Sequence, residues 1–245
     1  MTPPARGGAR SVLLIGLCAV LTVLFLSLSA WQVQRRAWKL DLIARVEQRV
    51  RAAPVPAPEP AAWAVISAHA DAYRRVSLTG VYDHARETLV QAVTEKGAGF
   101  WVLTPLHTNR GFTVLVNRGF VPADRKLASA RASGQVAGPV SVVGLLRLSE
   151  PHGGFLRENR PEEGRWYSRD VQAIAAAKGL SDTAPYFVDA DGAPNPGGWP
   201  LGGLTVVRFP NSHLLYALTW FGLALLTGGA GVYVWREARR ETRGA

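Results

Sequence analysis

The chain has 245 residues, 48% of them hydrophobic, which is enough for a folded core and excludes a disordered polymer. Its formal net charge of +10 and isoelectric point near 10.4 put phospholipid headgroups and carboxylates ahead of nucleic acid as partners. The single cysteine, Cys18, excludes an internal disulfide and a paired-thiol metal or redox site, and the single methionine, Met1, excludes a Met-rich copper chaperone.

Residues 1–10 are a short basic lead. Residues 11–31, SVLLIGLCAVLTVLFLSLSAW, then run without a charge over a length that spans roughly 30 Å as a helix, which predicts a first transmembrane helix. The competing reading is a signal peptide cut after Ser29, with Ser27 and Ser29 as its small residues. An amphipathic helix is expected over 34–52, with Trp38, Leu42, Ile43, Val46 and Val50 on one stripe. The Pro-rich segment 54–60 reads as an extended linker, and 61–73 as another short helix.

A β-rich core is expected over 73–209. The runs RRVSLTGVYD, ETLVQAVTE, FWVLTPLHT, FTVLVNRGFVP, GPVSVVGLLRL, PYFVDAD and GGLTVVRF are short, rich in Val, Leu, Thr and aromatics, and separated by turn signals. The TNRG link between two of them predicts a hairpin. One helix interrupts the series, SRDVQAIAAAKGL, with Ser168 or Asp170 as N-cap and Gly179 as its stop.

A second span is predicted over 214–235, with Tyr216 and Trp220 toward one end and Tyr233 and Trp235 toward the other as aromatic belts. Ala224 and Gly228 lie four apart, a spacing that lets another helix approach. The tail is 236–245. Arg6 and Arg10 before the first span and Arg236, Arg239, Arg240 and Arg243 after the second favour cytoplasmic termini, against Arg35, Arg36 and Lys39 on the loop side. The expectation is an α+β membrane protein of the bacterial cell inner membrane, its two transmembrane helices flanking a periplasmic, mainly antiparallel β domain over 32–213. That domain is barrel-like or a sandwich, with helical additions. About ten residues at each cytoplasmic end leave no room for a sensor's output module.

No nucleophile elbow, zinc-protease helix, phosphate-binding loop or dinucleotide fingerprint occurs. His69, His84, His107 and His152 are scattered without metal-ligand spacing and read as solvated or locally bonded. The loop RENRPEEGRWYSRD has two readings: a salt-bridged loop, in which Glu162 and Glu163 adjoin Arg160 and Arg165, or a grip for a carboxylate-bearing ligand or acidic surface. His213, at the mouth of the second span, stays open among an interface anchor, a hydrogen-bonding partner and a cofactor ligand. On helical spacing Tyr216 and Trp220 share its face, and Arg208 is close in sequence.

Taken in order, AWQVQRRAWKLDLIARV, YRRVSLTGVYD, GFWVLTPL, VLVNRGFVP, GLLRLSE, ENRPEEGRWYSRD, YFVDA and PNSHLLYALTWFGLA resemble the Surfeit-locus-one family, membrane proteins that assist assembly of cytochrome c oxidase. The chain departs from that pattern at Ser29, where the family usually has Gly, at Phe120, where Trp is common, and at Ser212, where a second Asn is common. The resemblance implies a non-catalytic assembly factor that binds heme a, with His213 as axial ligand to the heme iron. In that reading Tyr216 and Trp220 border the macrocycle and Arg208 meets a propionate. The implied partners are the catalytic subunit of cytochrome c oxidase, heme a synthase and membrane lipid, with no nucleic acid. The alternatives are a scaffold for oxidase subunits or the synthase that holds no heme, and a membrane-tethered envelope enzyme.

Overall fold

Alternating apolar residues draw the chain between residues 55 and 190 into one seven-stranded sheet in the computed structural model, which describes residues 6–154, 156–205 and 209–244. The strands are β1 (Val55–Pro56), β2 (Arg75–Tyr82), β3 (Thr88–Thr94), β4 (Gly97–Thr108), β5 (Thr113–Pro122), β6 (Pro139–Leu148) and β7 (Thr183–Ala190). Their spatial order is β1-β2-β6-β7-β5-β4-β3, and β2 also pairs with β4. Strands β2, β6, β7, β5 and β4 therefore close into a ring, and the barrel is the arrangement found rather than the sandwich. Pairing is antiparallel except between β1 and β2 and between β5 and β7.

Closure depends on the length of β4. Its first half, Gly97–Leu103, pairs with β3, and its last residues, Leu106–Thr108, pair with β2. At that second junction a Cβ on Gly80 would come within 2.2 Å of the His107 carbonyl oxygen, so only glycine lets the strands meet. The TNRG link does join β4 and β5 as a hairpin, with His107 opposite Thr113.

β5 is buried on both faces, and its alternate residues feed two cores. Val114 and Val116 point into the barrel with Val76, Leu78, Leu106, Leu146, Tyr186 and Val188. Leu115 points outward and packs with Leu103, Phe187, Trp166, Val171 and Ile174 beneath α3 (Val171–Lys178). Asp170 is the N-cap of α3, accepting from the Ala173 amide at 3.2 Å. Gly179, at φ +60°, ends it in the left-handed conformation. Ser168, the other candidate cap, instead accepts from the Gly153 amide and from Asn159.

Three expectations are corrected. Residues 54–60 are extended but are not a free linker: β1 adds to the barrel edge, Ala57 is buried, and the Pro58 carbonyl accepts from Trp63 and from the Tyr186 hydroxyl at 2.7 Å. Burial pushes the Tyr186 phenol above its ordinary value, so it stays a donor. Residues 61–73 hold a 3-10 turn, Pro60–Val65, and only a four-residue helix α2 (Ala68–Asp71). In the run GGLTVVRF, residues 202–205 are irregular and 206–208 lie outside the described residues. The two remaining helices are α1 (Arg6–Arg51) and α4 (His213–Gly244). Residues up to Ala44 and from Arg208 onward form one compact unit, and Arg45–Val207 form another.

Along the end of α1, Val46 is buried as expected, but Trp38 is 48% exposed and carries the Arg35 guanidinium 4.1 Å above its ring. Leu42, Ile43 and Val50 of the same stripe are half-buried, so Trp38 is the one of the five that departs from it.

Inside the barrel domain the buried Asp189 carboxylate gathers four donors. Asn117 Nδ2 and Arg169 Nη1 reach Oδ1 at 2.7 and 3.2 Å, and Arg147 Nη1 and Thr205 Oγ1 reach Oδ2 at 2.8 and 3.0 Å. Glu150 completes the charge balance by accepting from Arg169 at 2.5 and 3.0 Å. Burial pulls the Arg169 guanidinium down, but the Glu150 hydrogen bonds and the Asp189 charge outweigh it and hold the group above its ordinary value. Asp189→Ala would leave Arg147 and Arg169 with Glu150 as their one carboxylate, one positive charge uncompensated, and a destabilisation of about 3–5 kcal/mol is expected. Thermal or urea unfolding of the purified full chain in detergent, followed by far-UV circular dichroism, measures it; a variant as stable as the parent would remove the network from the account of stability.

Candidate functional site

Among the described residues two helices, α1 and α4, are long and apolar enough to cross a membrane. They pack against each other antiparallel. Cys18 faces Gly231, Thr22 faces Thr227, Phe25 faces Trp220, Ser29 faces Ala217, and Gln32 faces His213. Along α1 these positions advance by four and three residues alternately, and on α4 the same alternation runs 213, 217, 220, 224, 227, 231. That is a heptad seam, in which a 3.5-residue repeat keeps one face of each helix toward the other.

Small and hydroxyl side chains let the backbones close. Ala217 and Ala224 are buried, a Cβ on Gly228 would sit 3.7 Å from Thr22, and one on Gly231 would meet Cys18 Cβ at 3.1 Å. Gly231, which the spacing argument passed over, is thus the tighter approach. The polar atoms of the seam bond across it: Thr22 and Thr227 hydroxyls lie 3.0 Å apart, and Ser29 donates to the Ala217 carbonyl at 3.0 Å. At the glycine departure, Ser29 therefore adds an interhelical hydrogen bond.

His213 is the first residue of α4, half-buried, with Nδ1 2.8 Å from the Gln32 side-chain oxygen. An amide oxygen can only accept, so Nδ1 carries a proton, and in the neutral imidazole the lone pair is on Nε2. Gln32 is 9% exposed, and its oxygen would be costly to bury in this apolar seam without the imidazole. Asn211 Oδ1, two residues before His213, is buried without a hydrogen-bond partner among the described residues. Gln32 lies 181 residues from His213, and no local signal in the sequence links them.

The next two seam positions of α1 beyond Gln32 are Arg36 and Lys39, both half-buried, with the Lys39 ammonium 5.9 Å from the Phe209 ring. Two cations thus follow the imidazole along the seam. Trp220 is in the seam as well, stacked on Phe25 with centroids 5.6 Å apart and planes at 23°. Tyr216 is 52% exposed and turned away from the seam, so the three residues that helical spacing groups divide between two faces. Arg208 lies outside the described residues.

The side chains of two of the other histidines have partners in the barrel domain. His84 Nε2 is 3.0 Å from the Val136 carbonyl, and His107 bonds Thr113 and approaches Asp83. The arginine-rich loop holds ion pairs from Arg160 and Arg165 to Glu163, while Asn159 pins Tyr167 and Ser168 through their backbone amides. Among the described residues no three His, Cys, Asp or Glu side chains gather as a metal site.

Comparison with known proteins gives a consistent picture. The model of the SURF1 family matches residues 19–225. Surfeit locus protein 1 of Rattus norvegicus is 42% identical over 236 residues, covering 89% of this chain and 73% of the relative. Surfeit locus protein 1 of Homo sapiens is 40% identical over 226 residues, covering 85% and 71%. A SURF1-like protein of Monosiga brevicollis is 35% identical over 246 residues, covering 95% and 90%.

The seam is testable by cross-linking. In a Cys18→Ser background, a Thr22→Cys and Thr227→Cys pair should form an intramolecular disulfide on mild oxidation, seen as a mobility shift on non-reducing gels. A Val23→Cys and Thr227→Cys pair, with Val23 facing outward, should not, and equal yields from both would contradict the register.

Proposed function

The chain belongs to the SURF1 family, and from that membership together with the geometry of His213 we propose that it is a non-catalytic assembly factor for cytochrome c oxidase that binds heme a and helps pass it to the catalytic subunit. One observation carries the heme reading: an imidazole fixed by Gln32 so that its Nε2 lone pair is left over. Neutral imidazole with one nitrogen hydrogen-bonded to a neighbouring acceptor is the usual arrangement of a heme-iron ligand, the acceptor setting ring orientation and basicity. The donor set fits a single axial position. Arg36 and Lys39 supply positive charge on the same seam for propionates.

The side chains bordering the macrocycle are assigned differently from one another. Tyr216, exposed, is free to lie against a ring. Trp220 is engaged with Phe25, and its contribution is to hold α4 against α1 and so keep Gln32 under His213. In this reading α1 and α4 lie in the cell inner membrane with both termini cytoplasmic and the barrel domain periplasmic. The synthase that makes heme a and the oxidase subunit that receives it are the partners, and transfer takes place at the membrane surface. A scaffold that holds no heme is told apart by the same experiment.

Purification in mild detergent from cells making heme a, followed by an absorption spectrum, should show bound heme in the parent and none in His213→Ala. Gln32→Leu should retain it about 10–100-fold more weakly. His84→Ala and His107→Ala should match the parent. A His213→Ala protein with the parent's spectrum and stoichiometry would overturn the assignment.

Topology is checked separately. Alkaline phosphatase placed after Ala245 should be inactive, and the same enzyme inserted in the exposed Glu95–Lys96 turn between β3 and β4 should be active; the reverse pattern would refute the orientation.

A further inference from the structure

Among the described residues of the barrel domain, Arg118 and Arg131 are buried and Arg147 and Arg169 half-buried, and three of these four have a carboxylate partner: Arg131 pairs with Glu87, Arg147 with Asp189, and Arg169 with Asp189 and Glu150. Arg118, on β5 and 2% exposed, has none among the described residues. Its Nη2 donates to the Gly134 carbonyl and, at 3.0 Å, to Asn195 Oδ1, both neutral acceptors. Its Nε and Nη1 are buried without a hydrogen-bond partner. The Tyr82 ring lies under the guanidinium, 4.8 Å from Cζ, and burial raises the Tyr82 phenol more than the arginine lowers it, so it contributes no negative charge at neutral pH. Burial likewise lowers the Arg118 guanidinium, against the pull of Tyr82 and Glu87. Glu87 is already taken by Arg131 in a two-oxygen pair, so the cluster of Arg118, Arg131 and Glu87 keeps one uncompensated positive charge.

A buried cation with unused donors is costly unless something negative meets it. Here there is room for it to be met. Arg118 and Tyr82 line a cavity of about 290 Å³, at the small end of the range for ligand pockets, where β6 parts from the chain that follows β7. The other walls are mixed: Val140, Val142 and Pro194 give apolar surface, Ser141 and Asn195 polar surface, and Asp191 a carboxylate near Arg75.

We propose that this cavity binds a small organic monocarboxylate, its carboxylate on Arg118 and a short apolar tail along Val140, Val142 and Pro194. One uncompensated cation calls for one negative charge, the Asp191 carboxylate on the wall repels a dianion such as phosphate, and Val140, Val142 and Pro194 give apolar surface to a tail that phosphate lacks. The site is in the barrel domain and is independent of the heme reading, since it uses none of the same residues.

The test uses the full chain in detergent, prepared without heme, with isobutyrate as probe, isobutyramide as its neutral counterpart, and inorganic phosphate. Calorimetric titration and thermal unfolding should show saturable binding and stabilisation by isobutyrate and not by the other two. Arg118→Gln should weaken isobutyrate binding about ten-fold or more. Should that variant not fold, Ala193→Trp, at an exposed position on the cavity wall, blocks the space without touching the guanidinium and should also abolish binding. Absence of isobutyrate binding to the folded parent, equal response to the amide, preference for phosphate, or undiminished binding in Arg118→Gln would each overturn the proposal. Heme loading of the same samples reports separately on His213.

Discussion

Asp189 stands on β7 with both oxygens occupied, and the segments that meet on it are β5 through Asn117, β6 through Arg147, the residue before the α3 cap through Arg169, and the chain after β7 through Thr205. Among the described residues no other buried group in the barrel domain joins so many separate parts of the sequence. The arrangement is stable because it is complete: two arginines face two carboxylates, and the oxygens of Asp189 are saturated by hydrogen bonds rather than left half-satisfied. Local rigidity follows. Asn117 also accepts from the Gly119 amide, so the same carboxylate fixes the bend at which Gly119, at φ +129°, lets β5 approach the Leu201 carbonyl.

The helical unit meets the same requirement by a different route. Its seam carries hydroxyls, small residues and one amide–imidazole pair rather than charges, and nearly every polar atom in it bonds either across the seam or back to its own helix. In an apolar surrounding such bonds direct which faces meet, while the close approach at Gly231 supplies the packing. An imidazole in this setting does not need a cluster of other side chains to be positioned. One neighbouring acceptor is enough to set its tautomer.

Much of the fold was legible because its signals are local. The strands appear as alternating runs, the TNRG hairpin as a turn between two of them, α3 as a periodic segment bounded by Asp170 and Gly179, and α1 and α4 as long apolar stretches. The family was legible from the order of its short motifs. What stayed hidden is what depends on distant partners. Nothing near Val55 reveals that it lies beside Val76, nothing near Leu106 reveals that β4 turns from β3 to β2, and nothing near Gln32 points to His213. The three consecutive residues Asn117, Arg118 and Gly119 illustrate the limit. As sequence they are one motif. In the fold Asn117 binds the central carboxylate, Arg118 faces a cavity on the other side, and Gly119 admits a passing backbone.

The heptad seam also constrains how this chain can change in length. A residue inserted in α1 between Thr22 and Gln32 would turn the rest of that helix by about 100°, carrying Gln32 out of the seam while leaving Thr22 in it. Insertions or deletions of seven would restore the facing but move the amide about 10 Å along the axis, past His213. The distance along α1 from the hydroxyl pair to the imidazole is therefore fixed by two conditions at once, rotation and height, and only a matching change in α4 could preserve both. Length variation among such chains should collect in the connections between barrel strands, and the ten-residue separation of Thr22 and Gln32 should be kept even where the identities between them drift.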